Sequence, residues 1–370
     1  MSRSRWKEAV DPLVLTPVLA LMVISLFNLY SASQGGLNGS PHKSQIMWFT
    51  IGLIAMAAAA LIDMRTLERM TPTIFVLALI PLAAVHFLGH KAGGARSWLQ
   101  LGPFTLQPSE PMKIALILML ARYFGRAPEE PPYSLFDLWK PTLILLIPLG
   151  LIMKEPDMGT GLIYVATVGS LYLFLGLSRR TFWGSIGLVA VSVAAVWLWK
   201  GDPLFFLKAH QKARLATFLN PESDPLGVGY HVIQSKIAIG SGGLWGRGYL
   251  KGLQTQFSFL PEQHTDFAFS VLAEELGFVA SVGVVVAFAV LVGRAFNVAS
   301  HARDSFSAIL ATGFGILIFW HFLVNIAMVA GLLPVIGVPL PFLSYGGSSA
   351  VTMLTGVGFL LNVARGRHFF

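Results

Sequence analysis

Glu262, His264, Asp266, Glu274 and Glu275 crowd into PEQHTDFAFSVLAEELG, Pro261 to Gly277, where a polar loop hands over to an apolar run of membrane length. An ionisable side chain at the edge of a bilayer segment is costly unless it faces protein or water, so it is a functional candidate by default. A carboxylate placed there can take up and release a proton, and Asp266 is the first candidate for that chemistry. Glu274 lies two turns further on; at a rise of ~1.5 Å per residue the two carboxylates are about 12 Å apart, too far to share a proton. Glu274 is expected to support a cavity or to pair with a buried base.

Three other groupings carry charge or break the backbone. In QPSEPMKIAL, Glu110 and Lys113 stand at i, i+3 on one helix face, either as an ion pair that holds the fold or as part of a site; in both cases they turn away from lipid. In KEPDMGT, Asp157 is either a helix cap or a site carboxylate. In PVIGVPLPFLSYGGSS, Pro339, Pro341, Gly346 and Gly347 interrupt what would be a membrane helix, and such backbone persists at depth only when buried or facing a watery cavity. His321 and Asn325, at i, i+4, are expected to hydrogen-bond between helices. His86 and His90 share that spacing but have no carboxylate nearby and would be weak metal ligands. The chain has no cysteine, which excludes disulfides, thiolate catalysis and Cys-based metal sites. Phosphate-loop, HExxH, GxSxG and dinucleotide motifs are absent, so nucleotide and zinc chemistry have no support in the sequence.

These residues need a scaffold, and composition makes it a bilayer one. Of 370 residues, 55% are hydrophobic and 12% charged, against about a quarter charged in soluble domains. The net charge of +8 is scattered over short connections, with no basic domain or aromatic platform for nucleic acid. About ten apolar runs are long enough to cross a bilayer as helices. They lie near Pro12 to Ser33, Gln45 to Ile62, Thr71 to Leu88, Ser109 to Phe124, Pro141 to Met153, Gly159 to Leu177, Thr181 to Trp199, Asp266 to Leu291, Ser305 to Leu333 and Gly346 to Ala364. The first is expected to be a retained span, because MSRSRWKEAV precedes it without a cleavage signal.

Basic residues then orient the bundle. Arg3, Arg5, Lys7, Arg65, Arg69, Arg122, Arg126, Lys140, Arg179, Arg180, Arg294, Arg303, Arg365 and Arg367 gather on one side, and only Lys43, Lys91, Arg96 and Lys154 in the short loops of the other. This places both termini in the cytoplasm. The loop from about 200 to 265, between helices seven and eight, faces outward. It is too long for a bare connection. FLKAHQKARLATFL, with Lys208, Lys212 and Arg214 among apolar residues, reads as an interfacial amphipathic helix, NPESDPLGVG as a turn and GYHVIQSKIAIG as a second helix. A lid of short helices over the bundle is expected. The fold class is an all-α polytopic membrane protein, with residues 1–370 as a single domain. On these grounds the function is either transport or membrane-embedded catalysis on a lipid-linked substrate at the outer face.

Several stretches together resemble the SEDS (shape, elongation, division and sporulation) family: PESDPLGVGYHVIQSKIAIGSGGLWGRG, FLPEQHTDFAFSVLAEELG and GLLPVIGVPLPFLSYGGSS, with LQPSEPMKIAL and EPDMGT in the same order. The wording is closer to the elongation branch than to the division branch, and the likeness covers nearly the whole chain. It implies a ten-span protein of the cytoplasmic (inner) membrane that polymerises lipid II into peptidoglycan glycan strands at the outer leaflet. It also implies a class B penicillin-binding protein as transpeptidase partner and a place in the elongation machinery. The family's catalytic aspartate falls on Asp266. Its cavity-lining positions fall on Glu110, Lys113 and Asp157, with Lys236, Ser235 and Arg96 as further candidates. Joining an α-pyrophosphate donor into a β-1,4 chain inverts the anomeric carbon, so one carboxylate acting as general base suffices. The departing pyrophosphate needs cationic stabilisation, from Lys113, Arg96, Lys236 or a divalent cation, Mg or Mn, whose ligands the sequence does not identify. The alternatives are a lipid II flippase and a scaffold for the transpeptidase.

Overall fold

The computed structural model describes residues 11–366, apart from 35–39, 93–94, 103, 128–130, 156, 201–208, 221–227 and 261. Arg3, Arg5, Lys7, Lys208, Arg367 and most of the expected turn at 220–229 therefore lie outside the described residues. The helices are α1 (Pro12–Gln34), α2 (Pro41–Leu61), α3 (Met64–Leu88), α4 (Ser109–Gly125), α5 (Trp139–Lys154), α6 (Met158–Leu175), α7 (Arg179–Lys200), α8 (Ala209–Leu219), α9 (Val228–Ser241), α10 (Leu253–Gln256), α11 (Ala268–Ser300), α12 (Ser305–Val329) and α13 (Gly347–Arg365). Each of the ten expected runs is a helix. Seven of them, α1, α2, α3, α6, α11, α12 and α13, are long and apolar enough to cross a membrane.

Local chemistry sets the helix ends. Asp63, Asp157 and Asp304 cap α3, α6 and α12, each side chain accepting from the backbone N–H three residues on, which satisfies one of the free donors at a helix start. The ninth run stops at Val329, short of the expected Leu333, because Gly331 turns the chain in the left-handed region and Pro334 follows.

The sequence reading contained no strands, yet a three-stranded antiparallel sheet joins α3 to α4: β1 (His90–Ala92), β2 (Ala95–Leu101) and β3 (Phe104–Leu106). Leu101 pairs with Phe104 across a two-residue turn at Gly102, whose positive φ the tight hairpin requires.

The helices differ in what surrounds them. The apolar windows of α13 and α12 are 78% and 67% buried, against 22% for α3, so α12 and α13 form the centre of the bundle and α3 its lipid-facing rim. α13 lies along α2, with Gly52 against Leu354 and Ala59 against Gly358. Small residues at such crossings let backbones approach closely, which matters because lipid provides no hydrophobic drive between helices.

Candidate functional site

The outer part of α11 is a separate piece of helix. At Gly277 (φ 77°, ψ −170°) the helical backbone is broken, in a region essentially closed to other residues. A break strands backbone groups on both sides, and SGGLWGRG supplies their partners. Arg247 and Gly248 donate to the carbonyls of Glu274 and Glu275 at 3.0 Å, and Phe278 and Val279 donate to Gly243 and Leu244 at 2.9 and 3.2 Å. The glycines of this motif are required by contact: a Cβ on Gly242 or Gly246 would overlap the carbonyls of Ala273 and Glu275. Among the described residues Glu274 pairs with no base. Its carboxylate accepts from the N–H groups of Gln254 and Thr255 and from Thr255 Oγ1, at 2.8 to 3.1 Å.

α1 holds this piece from below. Ser25, Asn28 and Ser31, three residues apart and so on one helix face, donate in turn to the Leu343 carbonyl (2.7 Å), the Ala268 carbonyl (2.8 Å) and Glu275 Oε1 (2.5 Å). From the other side, Asn325 Nδ2 of α12 donates to the backbone carbonyls of both Asp266 (3.0 Å) and Val338 (2.7 Å). Tyr345 N donates to the His264 carbonyl at 2.8 Å. The two irregular segments, 262–267 and 331–346, are thereby fixed side by side, and the buried run Val338 to Ser344 is broken backbone enclosed by protein, as the bilayer demands.

Asp266 sits where these segments meet, packed among protein atoms yet with part of its surface still open. The exposed Gly337 is its neighbour: a Cβ there would lie 3.4 Å from Asp266 Oδ2. Burial pushes the Asp266 carboxyl from 3.8 up to about 6, aided by the charges of Glu262 and Asp157 and opposed by Arg214. Burial also lowers the His264 imidazole, with Glu262 opposing.

A small cavity of about 20 Å³ adjoins Gly337, with Glu110, Lys113, His321 and Gln107 in its wall. Lys113 Nζ lies 2.8 Å from Glu110 Oε1 and 3.0 Å from His321 Nε2. His321 Nδ1 is 2.9 Å from the Leu317 carbonyl, so Nδ1 carries the proton and Nε2 accepts from Lys113. The ion pair is 3% exposed on both sides, which makes the third partner important for a charge out of water. Asp157 divides its oxygens: Oδ1 caps α6 by accepting from Thr160 N, and Oδ2 accepts from Gln107 Nε2, both at 3.0 Å. Glu155, just past α5, is buried with neither oxygen hydrogen-bonded; Ser97 is close but makes no bond of ordinary geometry. Burial raises the Glu155 carboxyl to about 7, with Ser97 opposing and Asp157 adding.

The expected residues divide accordingly. Asp266, Glu110, Lys113 and Asp157 come together around Gly337 and Gln107. Ser235 is fully buried at a helix junction, donating to the Val329 carbonyl at 2.7 Å and meeting Ser270 Oγ at 2.8 Å. Lys236 is exposed on α9, its stem across Gly331. Arg96 lies on β2, its side chain outside the described residues. Among the described residues no three His, Asp or Glu side chains group closely enough to hold a metal ion. Arg214, Gln107 and Glu155 were not singled out as site residues from sequence. Arg214 was legible only as one cation on an amphipathic helix.

A profile of the FtsW/RodA/SpoVE family, described as cell cycle proteins, matches residues 11–368. The chain is 41% identical over 358 residues to the peptidoglycan glycosyltransferase MrdB of Escherichia coli K12, covering 96% of this chain and 94% of that one. It is 33% identical to the peptidoglycan glycosyltransferase RodA of Treponema pallidum, over 98% and 99% of the two chains. Among solved structures it matches a chain of a peptidoglycan synthase complex in which polymerization and crosslinking are coordinated, with TM-score 0.81, 32% identity and coverage of 97% and 99%. It also matches RodA of Thermus thermophilus, with TM-score 0.71, 27% identity and coverage of 97% and 98%.

Proposed function

The chain belongs to the FtsW/RodA/SpoVE, or SEDS, family, and from that membership we propose that it is a multi-pass inner-membrane peptidoglycan glycosyltransferase that polymerises lipid II during cell elongation. Asp266 is the general base. It takes the proton from the acceptor sugar hydroxyl as that oxygen attacks the donor's anomeric carbon; the carbon–oxygen bond to pyrophosphate breaks, and the pyrophosphate leaves as an anion. One displacement inverts the carbon without a covalent intermediate.

The observation that carries this reading is a part-open carboxylate whose backbone is clamped by Asn325 and whose pKa is raised to about 6. A carboxylate near 3.9 is a weak base; one near 6 is better matched to neutral pH while still mostly ionised there. Lys113 is already neutralised by Glu110, so Arg214, a basic residue whose charge acts on Asp266, is the cation proposed for the leaving group. Asp157 and Gln107 are sugar-facing candidates beside it. The partner is a class B penicillin-binding protein, in keeping with the synthase complex the chain resembles.

The test is Asp266→Asn in purified protein with its partner, assayed in detergent with labelled lipid II. Loss of polymer at unchanged folding is expected; polymer made at near wild-type rate refutes the base. Detergent also removes the flippase reading, because a flippase has no membrane to work across and makes no glycan.

A further inference from the structure

The loop segment from Leu244 to Phe259 presents apolar side chains outward: Leu244 is 64% exposed, Trp245 79%, Phe257 65% and Phe259 45%. In water a patch of this kind is a liability. Tyr249 gives it a position. Its hydroxyl donates to the Phe27 carbonyl at 3.1 Å, and its ring meets the Phe27 ring edge-on at 6.2 Å. Phe27 belongs to a stripe of α1, with Leu19 and Val23, that the bundle leaves uncovered and that faces lipid.

The depth of that contact follows from helix geometry. Arg294 Nη2 and Asp11 Oδ2 form an ion pair at 2.7 Å, on the side where the basic residues gather. Phe27 follows Asp11 by sixteen residues of α1, about 24 Å; Gly277 precedes Arg294 by seventeen residues of α11, about 25 Å. The two counts agree, and both reach close to the outer edge of a hydrocarbon core about 30 Å thick. Leu244 is bonded to Val279, two residues from Gly277, so it lies at the same level.

The backbone is consistent with that depth. Besides the bonds to the broken helix, Lys251 donates to Gly248, Ser258 to Thr255 and Phe259 to Gln254, while the Glu274 carboxylate takes the N–H groups of Gln254 and Thr255. Irregular backbone open to lipid is not tolerated deep in the hydrocarbon, and this partial internal pairing suits the outer interface, where headgroups and water reach the remaining groups. Beneath the loop a cavity of about 240 Å³, walled by Ile24, Phe27, Tyr249 and Leu276 with Asn28 and Glu275, opens at this height.

We propose that Leu244–Phe259 is seated at the outer membrane interface, its apolar side chains against the lipid acyl chains, as a collar around the break at Gly277. Arg247, whose Nε donates to the Ser241 carbonyl at 3.2 Å, and the exposed Lys251 supply cations for the headgroups, and Trp245 and Tyr249 take the belt position that aromatic residues favour at this interface. The collar goes beyond the catalytic reading and does not depend on it.

The chain has no cysteine, so Trp245→Cys and Phe257→Cys each create a single labelling site on an exposed side chain. Each variant is labelled with an environment-sensitive fluorophore and reconstituted, without any partner protein, in vesicles. Quenching by aqueous iodide is compared with quenching by lipids carrying a nitroxide near the headgroup, with Glu262→Cys as the water-facing reference. Emission shifted to the blue, several-fold weaker iodide quenching than at 262 and strong quenching by the nitroxide lipid are expected. Iodide quenching equal to that at 262 overturns the proposal. Protection from both quenchers overturns it too, because the surface would then be covered by another copy of the chain.

Discussion

The pH dependence of polymerisation is where the base assignment is most exposed. Moving the Asp266 carboxyl from 3.8 to about 6, at roughly 1.4 kcal/mol per pH unit, penalises the ionised form by on the order of 3 kcal/mol. Turnover by the ionised form is then near its plateau at pH 7, about half at pH 6 and about a tenth at pH 5. Stability runs the opposite way. A carboxyl raised by folding holds its proton more tightly in the folded state; its contribution is fully present below 3.8 and lost as the pH rises through about 6. The local charges sign two variants. Arg214 lowers the Asp266 pKa and Glu262 raises it, so Arg214→Gln moves the acid limb to higher pH and Glu262→Gln to lower pH. Glu155, near 7, titrates in the same window, so Glu155→Gln is the control and leaves the midpoint in place. The assay is the initial rate of glycan formation from labelled lipid II in detergent between pH 5 and 8. A midpoint near 4 unmoved by either charge variant, or a limb abolished by Glu155→Gln, would refute the reasoning.

Gly277→Ala forces a side chain into a backbone region that costs about 1–3 kcal/mol before the overlap with Gly246 is added; a clear fall in thermal midpoint in detergent is expected, and an unchanged midpoint contradicts the clasp. Glu110→Gln and Lys113→Met each leave a buried charge unpaired and should destabilise by about 3–5 kcal/mol, with the double variant recovering much of the loss. Single variants that lose turnover at unchanged stability would show instead that the pair acts on substrate. Asn28→Leu leaves the Ala268 carbonyl without its donor and should cost about 1–3 kcal/mol, read as earlier unfolding; a protein as stable as wild type would remove α1 from the support of the site.

The fold was legible to the extent that a bilayer dictates it. Apolar runs of the right length mark the helices, and each of the ten lies where expected. The β hairpin was not legible, because HKAGGARSWLQLGPFTL is short, mixed in character and flanked by membrane runs that dominate the hydropathy. At the site, Asp266, Glu110 and Lys113 could be found because charge is rare in such a chain. Glu274 could be found by the same signal but not read, since two of its three partners are backbone N–H groups, which carry no residue type.

What sequence does not encode is direction around a helix and across a loop. Ser235 and Lys236 are adjacent in a strong motif, yet one is locked to the Val329 carbonyl and the other is exposed; a motif marks a place in the fold without saying which side of it meets substrate. The polar residues of α1 make the same point. Ser25, Asn28 and Ser31 look like tolerated impurities in an apolar span, yet they hold the Leu343 carbonyl, the Ala268 carbonyl and the Glu275 carboxylate around Asp266. A carboxylate proposed as general base on irregular backbone needs rigid neighbours, since loops have little stiffness of their own. Here that rigidity comes from α1 and α12, where Ser25, Asn28 and Asn325 hold main-chain carbonyls and Ser31 holds the Glu275 carboxylate, so positions far from Asp266 in sequence decide where it points.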